Sequence, residues 1–264
     1  MNSTDLIRLK IERANKHIDE LKSALLAFKN SDPYKISAKR DPQTRKLIYY
    51  LVDVQPMPME IACIAGDTLH NLRGALDHLA YRLFRNEAGN AADAKHVYFP
   101  IFDDAAKYQA GVNGKVHGMG QDAIDAIDAV KPYKGGNDTL WRLHRLNNVD
   151  KHRLLITVGA AFNAMNIGQH LGGLLPDFFK QKGLPPLPVP DLYMSPADRM
   201  FLLKIGDELF IDAPDAEVNE KINFLFDIAF GEPGVVEGDS ILETLKGMSD
   251  LVGNVVSDFG PLLK

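Results

Sequence analysis

The densest group of side chains able to do chemistry lies between residues 58 and 86, in PMEIACIAGDTLHNLRGALDHLAYRLFRN. His70, Asn71, Arg73, Asp77, His78 and Tyr81 stand there off an apolar face formed by Ile61, Ala65, Leu69, Leu72, Leu76, Leu79 and Leu83. At about 100° per residue, His70, Arg73 and Asp77 share one flank of a helix, and Asn71 and His78 share the other. An imidazole with an ordinary pKa of about 6.5 trades protons near neutral pH. A guanidinium offers a planar fork to phosphate or carboxylate. Arg73 and His78 are five apart, roughly 140° around a straight helix, so one pocket holding both needs a second chain or another element. Gly74 leaves a gap between the flanks, which permits close approach of a backbone, a ligand or the same helix of a second subunit.

A second constellation occupies residues 144–153, HRLNNVDKHR. Asn148, Asp150, Lys151 and His152 would present amide, carboxylate, ammonium and imidazole groups together at a helix end, and with His70 they form the expected binding set. The structural alternatives are plain: Arg73 and Asp77 can pair at i,i+4, and the second cluster can serve capping and turn chemistry. Asp67-x-x-His70 has the carboxylate–imidazole spacing of di-iron bundles, but those sites need it twice, with two further carboxylates. No metal and no cofactor is expected, since no zinc spacing, serine elbow or phosphate loop is present.

The run Arg73-Gly-Ala-Leu-Asp-His78 resembles the R-x4-6-H motif of the HEPN superfamily, small helical bundles that include many metal-independent RNases. Arg145 to His152 fits the same pattern. The resemblance implies a core bundle helix whose Arg and His meet their equivalents across a homodimer. His78 would then be acid and base in cleavage of RNA by its own 2′-hydroxyl, Arg73 would bind the phosphate, and Asn71 and Asp77 would support them. The chain departs from the family at Gly74, where a polar residue is usual. LHNLRGALDHL and NNVDKHR also resemble a bacterial protein group to which no activity attaches. The second function class is a non-catalytic helical module that binds a nucleotide, RNA or a protein.

These groups need elements to hold them. Residues 4–29 carry a heptad seam of Ile7, Ile11, Ala14, Ile18, Leu21, Leu25 and Phe28, which predicts a long helix. The charged, proline-bearing segment 31–46 breaks it. Residues 46–54, KLIYYLVDV, predict a strand, followed by the helix over 58–86. Residues 97–102 are a short extended piece, and the glycine-rich 111–120 reads as a flexible loop. Short helices are expected over 122–130, where Asp122, Asp125 and Asp128 form a solvated face, and over 138–150. Residues 154–158 predict a strand, 168–196 a stiff proline-rich connector, 200–212 a hairpin turning at Gly206-Asp207, and 221–230 a strand. A seam of Ile241, Leu245, Met248, Val252, Val255 and Phe259 closes the chain with a helix. The sum is an α+β protein in one domain: a bundle core of three long and two short helices (4–29, 58–86, 121–150, 239–260) with an appended, mainly antiparallel β-sheet (46–54, 152–160, 199–230).

Composition narrows the classes. The 264 residues are 45% hydrophobic and 25% charged with a net charge of −5, ordinary for a soluble globular protein. No apolar run is long enough to span a membrane, the charged N-terminus lacks a secretory signal, and the single cysteine, Cys63, excludes an intrachain disulfide. A cytoplasmic protein is expected. The charge is uneven: residues 29–46 and 131–153 each carry +4, leaving −13 elsewhere. Such basic segments are ordinary solvated surface or, brought together, a steering field for a polyanion.

Overall fold

Apolar side chains stepping by four and three build the helices. The computed structural model describes residues 3–89, 93–153, 158–168, 182, 191–195, 202–220 and 222–263. Among them are six α-helices: α1 (Ser3–Asn30), α2 (Met59–Ala88), α3 (Ala105–Val116), α4 (Gln121–Val130), α5 (Asp138–Arg153) and α6 (Ile241–Asp258). Six strands, β1 (Tyr34–Arg40), β2 (Lys46–Val54), β3 (Val158–Asn166), β4 (Tyr193–Met194), β5 (Glu208–Pro214) and β6 (Asn223–Phe230), form two antiparallel sheets ordered β1-β2-β5 and β4-β3-β6. The α+β expectation holds at this level. The β-structure is divided between two small sheets instead of gathered into one.

The chain divides into two compact units, one of Met1–Leu25, Met59–Thr157 and Glu232–Lys264, the other of Leu26–Pro58 and Val158–Gly231. In the first, α2, α5 and α6 pack on one another. The predicted faces of α2 and α6 are buried without exception. Ser249 Oγ on α6 donates to Asn15 Oδ1 on α1 at 2.6 Å, tying the chain's first helix to its last. The second unit holds both sheets around an aromatic cluster, with Tyr34 and Phe226 ring centroids 4.3 Å apart and Tyr49 5.9 Å from Phe224.

Several elements differ from expectation, each for a physical reason. The segment after α1 is not simply a break, because Tyr34, Ile36 and Ala38 alternate inward and β1 pairs with β2. Asp41 closes that turn: its Oδ1 accepts from the backbone of Gln43 and Thr44 and from the Thr44 hydroxyl. These bonds, Thr44's first, hold the Asp41 carboxyl below its ordinary pKa. The glycine-rich stretch is largely helix α3, capped by Asp104, which accepts from the Lys107 N–H, with Tyr108, Val112 and Val116 buried along one face. Helix α5 runs on through His152 to Arg153, so the β-structure expected from residue 152 begins, as described, at Val158; residues 154–157 lie outside the described residues. The turn at Gly206-Asp207 exists, but it feeds β5 onto β2 and not onto a hairpin arm: the Gly206 N–H donates to Leu51 O and the Leu51 N–H to Asp207 O. Most of the proline-rich segment, 169–181 and 183–190, and the hairpin's start at 200–201 also lie outside the described residues.

Candidate functional site: a polar cavity between α2 and α5

On α2, Arg73 and Asp77 lie one turn apart and grip the backbone of a single residue, Phe99, on both sides of its Cα. Arg73 Nη2 donates to Phe99 O at 2.8 Å and pairs with Asp77 Oδ1 at 2.9 Å, while the Phe99 N–H donates to the same Asp77 oxygen at 3.1 Å. The clamp fixes an extended segment across the face of the helix. Phe99 itself is buried, its ring 6.4 Å from that of Phe259.

Helix α5 supplies the opposite wall. His144, Asn147, Asn148 and Lys151 fall at i, i+3, i+4 and i+7, the spacing of one helix face. Together with Arg73, Asp77, Phe99, Tyr98 and Lys115 they line a cavity of about 350 Å³. Lys115 lies 5.1 Å from the Tyr98 ring centroid. Its ionic lining is Arg73, Lys115 and Lys151 against Asp77 alone.

Three of the wall residues carry a buried polar atom with no hydrogen-bond partner among the described residues: Arg73 Nη1, His144 Nδ1 and Asn147 Oδ1. Arg73 and Asn147 are only 7% and 2% exposed. Each such group costs about 1–3 kcal/mol when left unmade. Asn148 Nδ2 donates to His144 Nε2 at 3.1 Å, which assigns the proton of the neutral ring to Nδ1. Burial and then the nearby Arg73 charge push the His144 imidazole down to about 4, so the ring is neutral at pH 7. Burial also raises the Asp77 carboxyl above its ordinary value, against the opposing charge of Arg73. The cavity thus offers a guanidinium N–H, an imidazole N–H and an amide oxygen, framed by ammonium groups.

The expected site residues separate. Arg73, Asp77, Asn148 and Lys151 line the cavity; Asn71, His70, His78, Asp150 and His152 are not among its lining residues. Asn71 Nδ2 donates to Asp67 O on its own helix. His70, His78 and His152 are exposed. Asp150 abuts Gly66, where an added Cβ would stand 2.4 Å from its Oδ1, and its carboxyl is raised by burial and by Asp67, with His70 opposing. Among the described residues of this chain, Gly66 is the glycine of α2 that another segment approaches closely, whereas at Gly74 an added Cβ meets Lys10 Cε at 4.0 Å. Tyr98, Phe99, Lys115 and the roles of His144 and Asn147 were not predicted. The stripe 144-147-148-151 was a readable signal for α5; the Tyr98 and Lys115 contributions have none in the local sequence.

Among the described residues no three His, Cys, Asp or Glu side chains are placed to hold a metal ion together. The donor character of the cavity suits an anion. A second depression of about 440 Å³, lined by Ala126, Leu251, Val255 and Phe259 among others, has no unpaired buried polar atom among its lining residues. Among the described residues no helix is long and apolar enough to cross a membrane. Comparison with protein-family models, curated proteins and solved structures gave no match to this chain.

Proposed function

We propose that this chain is a binding module whose helical unit captures a small ligand through its oxyanion, of the phosphate class carried by nucleotides, in the cavity between α2 and α5. One observation carries the reading: Arg73 Nη1, His144 Nδ1 and Asn147 Oδ1, all buried and all unpartnered, belong to one cavity wall whose cations outnumber its carboxylate. Arg73 serves twice, its Nη2 holding Phe99 and its Nη1 left for the ligand. Lys115 and Lys151 draw the anion in through a charge effect that salt weakens.

Binding fits the chemistry better than the HEPN-like nuclease reading. Metal-independent RNA cleavage needs a group that both takes and gives a proton near neutral pH. The imidazole of the cavity, His144, has its pKa pushed down to about 4 and is a poor proton donor at pH 7. His78, the acid and base that the family resemblance implies, is exposed and not among the cavity's lining residues, and would have to meet an Arg73 of a second protomer. Isothermal titration with inorganic phosphate at low salt tests the proposal. Saturable binding is expected, weakened about tenfold in Arg73→Lys, since lysine keeps the charge but loses the planar fork. Labelled RNA incubated with the protein, with and without EDTA, is expected to stay intact. Absence of phosphate binding, or RNA cleavage lost in His78→Ala, would overturn the reading.

A further inference from the structure

The cavity is not a uniform set of donors, and the exception sharpens the ligand. Asn147 is 2% exposed, and its Oδ1 is a buried acceptor with no partner among the described residues. An oxyanion without a proton can satisfy Arg73 Nη1 and His144 Nδ1, but it turns only lone pairs toward an amide oxygen. That pairing is repulsive and leaves the Asn147 acceptor unmade. A ligand that satisfies all three atoms carries a hydrogen-bond donor in or beside its oxyanion.

Resting on the anion-binding reading above, we infer that Asn147 is a specificity-determining residue, which selects oxyanions bearing a donor over isosteric oxyanions without one. Two sources supply that donor: a proton on the phosphate itself, or a hydroxyl next to an esterified phosphate, as on a sugar. The cavity, at about 350 Å³, has room for a ligand larger than a bare tetrahedral ion. Asn148, one residue on, is engaged with the His144 ring.

Four tetrahedral probes separate these cases at about pH 8, where a phosphate monoester has lost its second proton, whose pKa is near 6. Inorganic phosphate then still keeps one P–OH, sulfate and methyl phosphate have no donor, and ribose 5-phosphate has donors only on its sugar. Titration calorimetry of the native chain is expected to show phosphate binding at least tenfold tighter than sulfate and methyl phosphate. Such a ratio corresponds to about 1.4 kcal/mol, within the cost of leaving one buried acceptor unpaired. Ribose 5-phosphate binding well above methyl phosphate identifies the hydroxyl as the donor source; ribose 5-phosphate matching methyl phosphate identifies the P–OH. In Asn147→Ala the phosphate-to-sulfate ratio is expected to fall to about one. Equal affinity of the native chain for phosphate and sulfate overturns this inference and leaves the anion site standing. Binding of none of the probes overturns both. The native-chain comparison decides the matter even where the variant does not fold.

Discussion

His144 shows how strongly a single residue is governed by its surroundings. Its ring is half-buried near Arg73, and its Nε2 takes the Asn148 amide proton, a bond that favours the neutral form. In the unfolded chain the imidazole protonates as pH falls past about 6.5, while in the folded chain it resists until about 4. Between those values the unfolded state binds more protons, so acid draws the equilibrium toward it. The contribution is complete above the unfolded value and fades through that window, on the order of 3 kcal/mol in all. Urea unfolding at a series of pH values is expected to show this slope in the native chain and a flatter one in His144→Gln. Parallel curves would contradict the assigned environment. The bond from Asn148 also leaves this imidazole poorly suited to relaying protons near neutral pH.

At the scale of elements, α3 makes the clearest case. Gly111 and Gly114 sit three apart on it, yet they answer to different neighbours. At Gly111 an added Cβ would lie 2.7 Å from Phe102 Cε1, whereas at Gly114 nothing stands within 4 Å. Gly114→Ala is therefore expected to stabilise the protein by about 0.5–1 kcal/mol through helix propensity. Gly111→Ala is expected to destabilise it by about 1–3 kcal/mol, as the Phe102 ring is forced aside. Thermal melts of the two variants should move in opposite directions. The helix also shows why part of the fold was legible and part was not. The seams of α2 and α6 could be read because a long apolar period has no competing signal. In α3 the period of Tyr108, Val112 and Val116 is equally regular, but four glycines between residues 111 and 120 outweigh it in any local reading. At Gly111 the lack of a side chain makes room for Phe102, which belongs to another segment. For the same reason Arg73, Asp77, Asn148 and Lys151 could be chosen in advance from their helices, while Tyr98 and Lys115 come to the cavity from other segments, Lys115 against the Tyr98 ring.

At the scale of the molecule, charge and connectivity matter most. The basic run from Lys29 to Lys46 is largely spent within its own unit: Lys29 on Asp227, Lys35 on Asp53, Lys39 on Glu208 and Arg45 on Asp215. Exposed pairs of this kind contribute little stability, but they remove the excess charge that suggested a polyanion surface there. In the second basic stretch, Arg142 meets Asp239, Lys134 lies over Trp141, and Lys151 is among the residues that line the cavity. The helical unit is assembled from three separated lengths of chain, and α6, from the last of them, packs on both α2 and α5. Removing residues 240–264 is thus expected to cost the unit its cooperative unfolding and its phosphate binding together, read by circular dichroism and calorimetry on the truncated chain. A truncated protein that still melts sharply and still binds phosphate would show that α6 is dispensable to the cavity.

The backbone of Phe99, held at both its N–H and its C=O by one turn of α2, doubles as a built-in gauge. Its amide can trade hydrogen for deuterium only when Asp77 lets go, and Asp77 is tethered to the guanidinium proposed to meet the anion. Occupancy of the cavity should therefore be readable as slowed isotope uptake at one backbone position, without a label or a mutation.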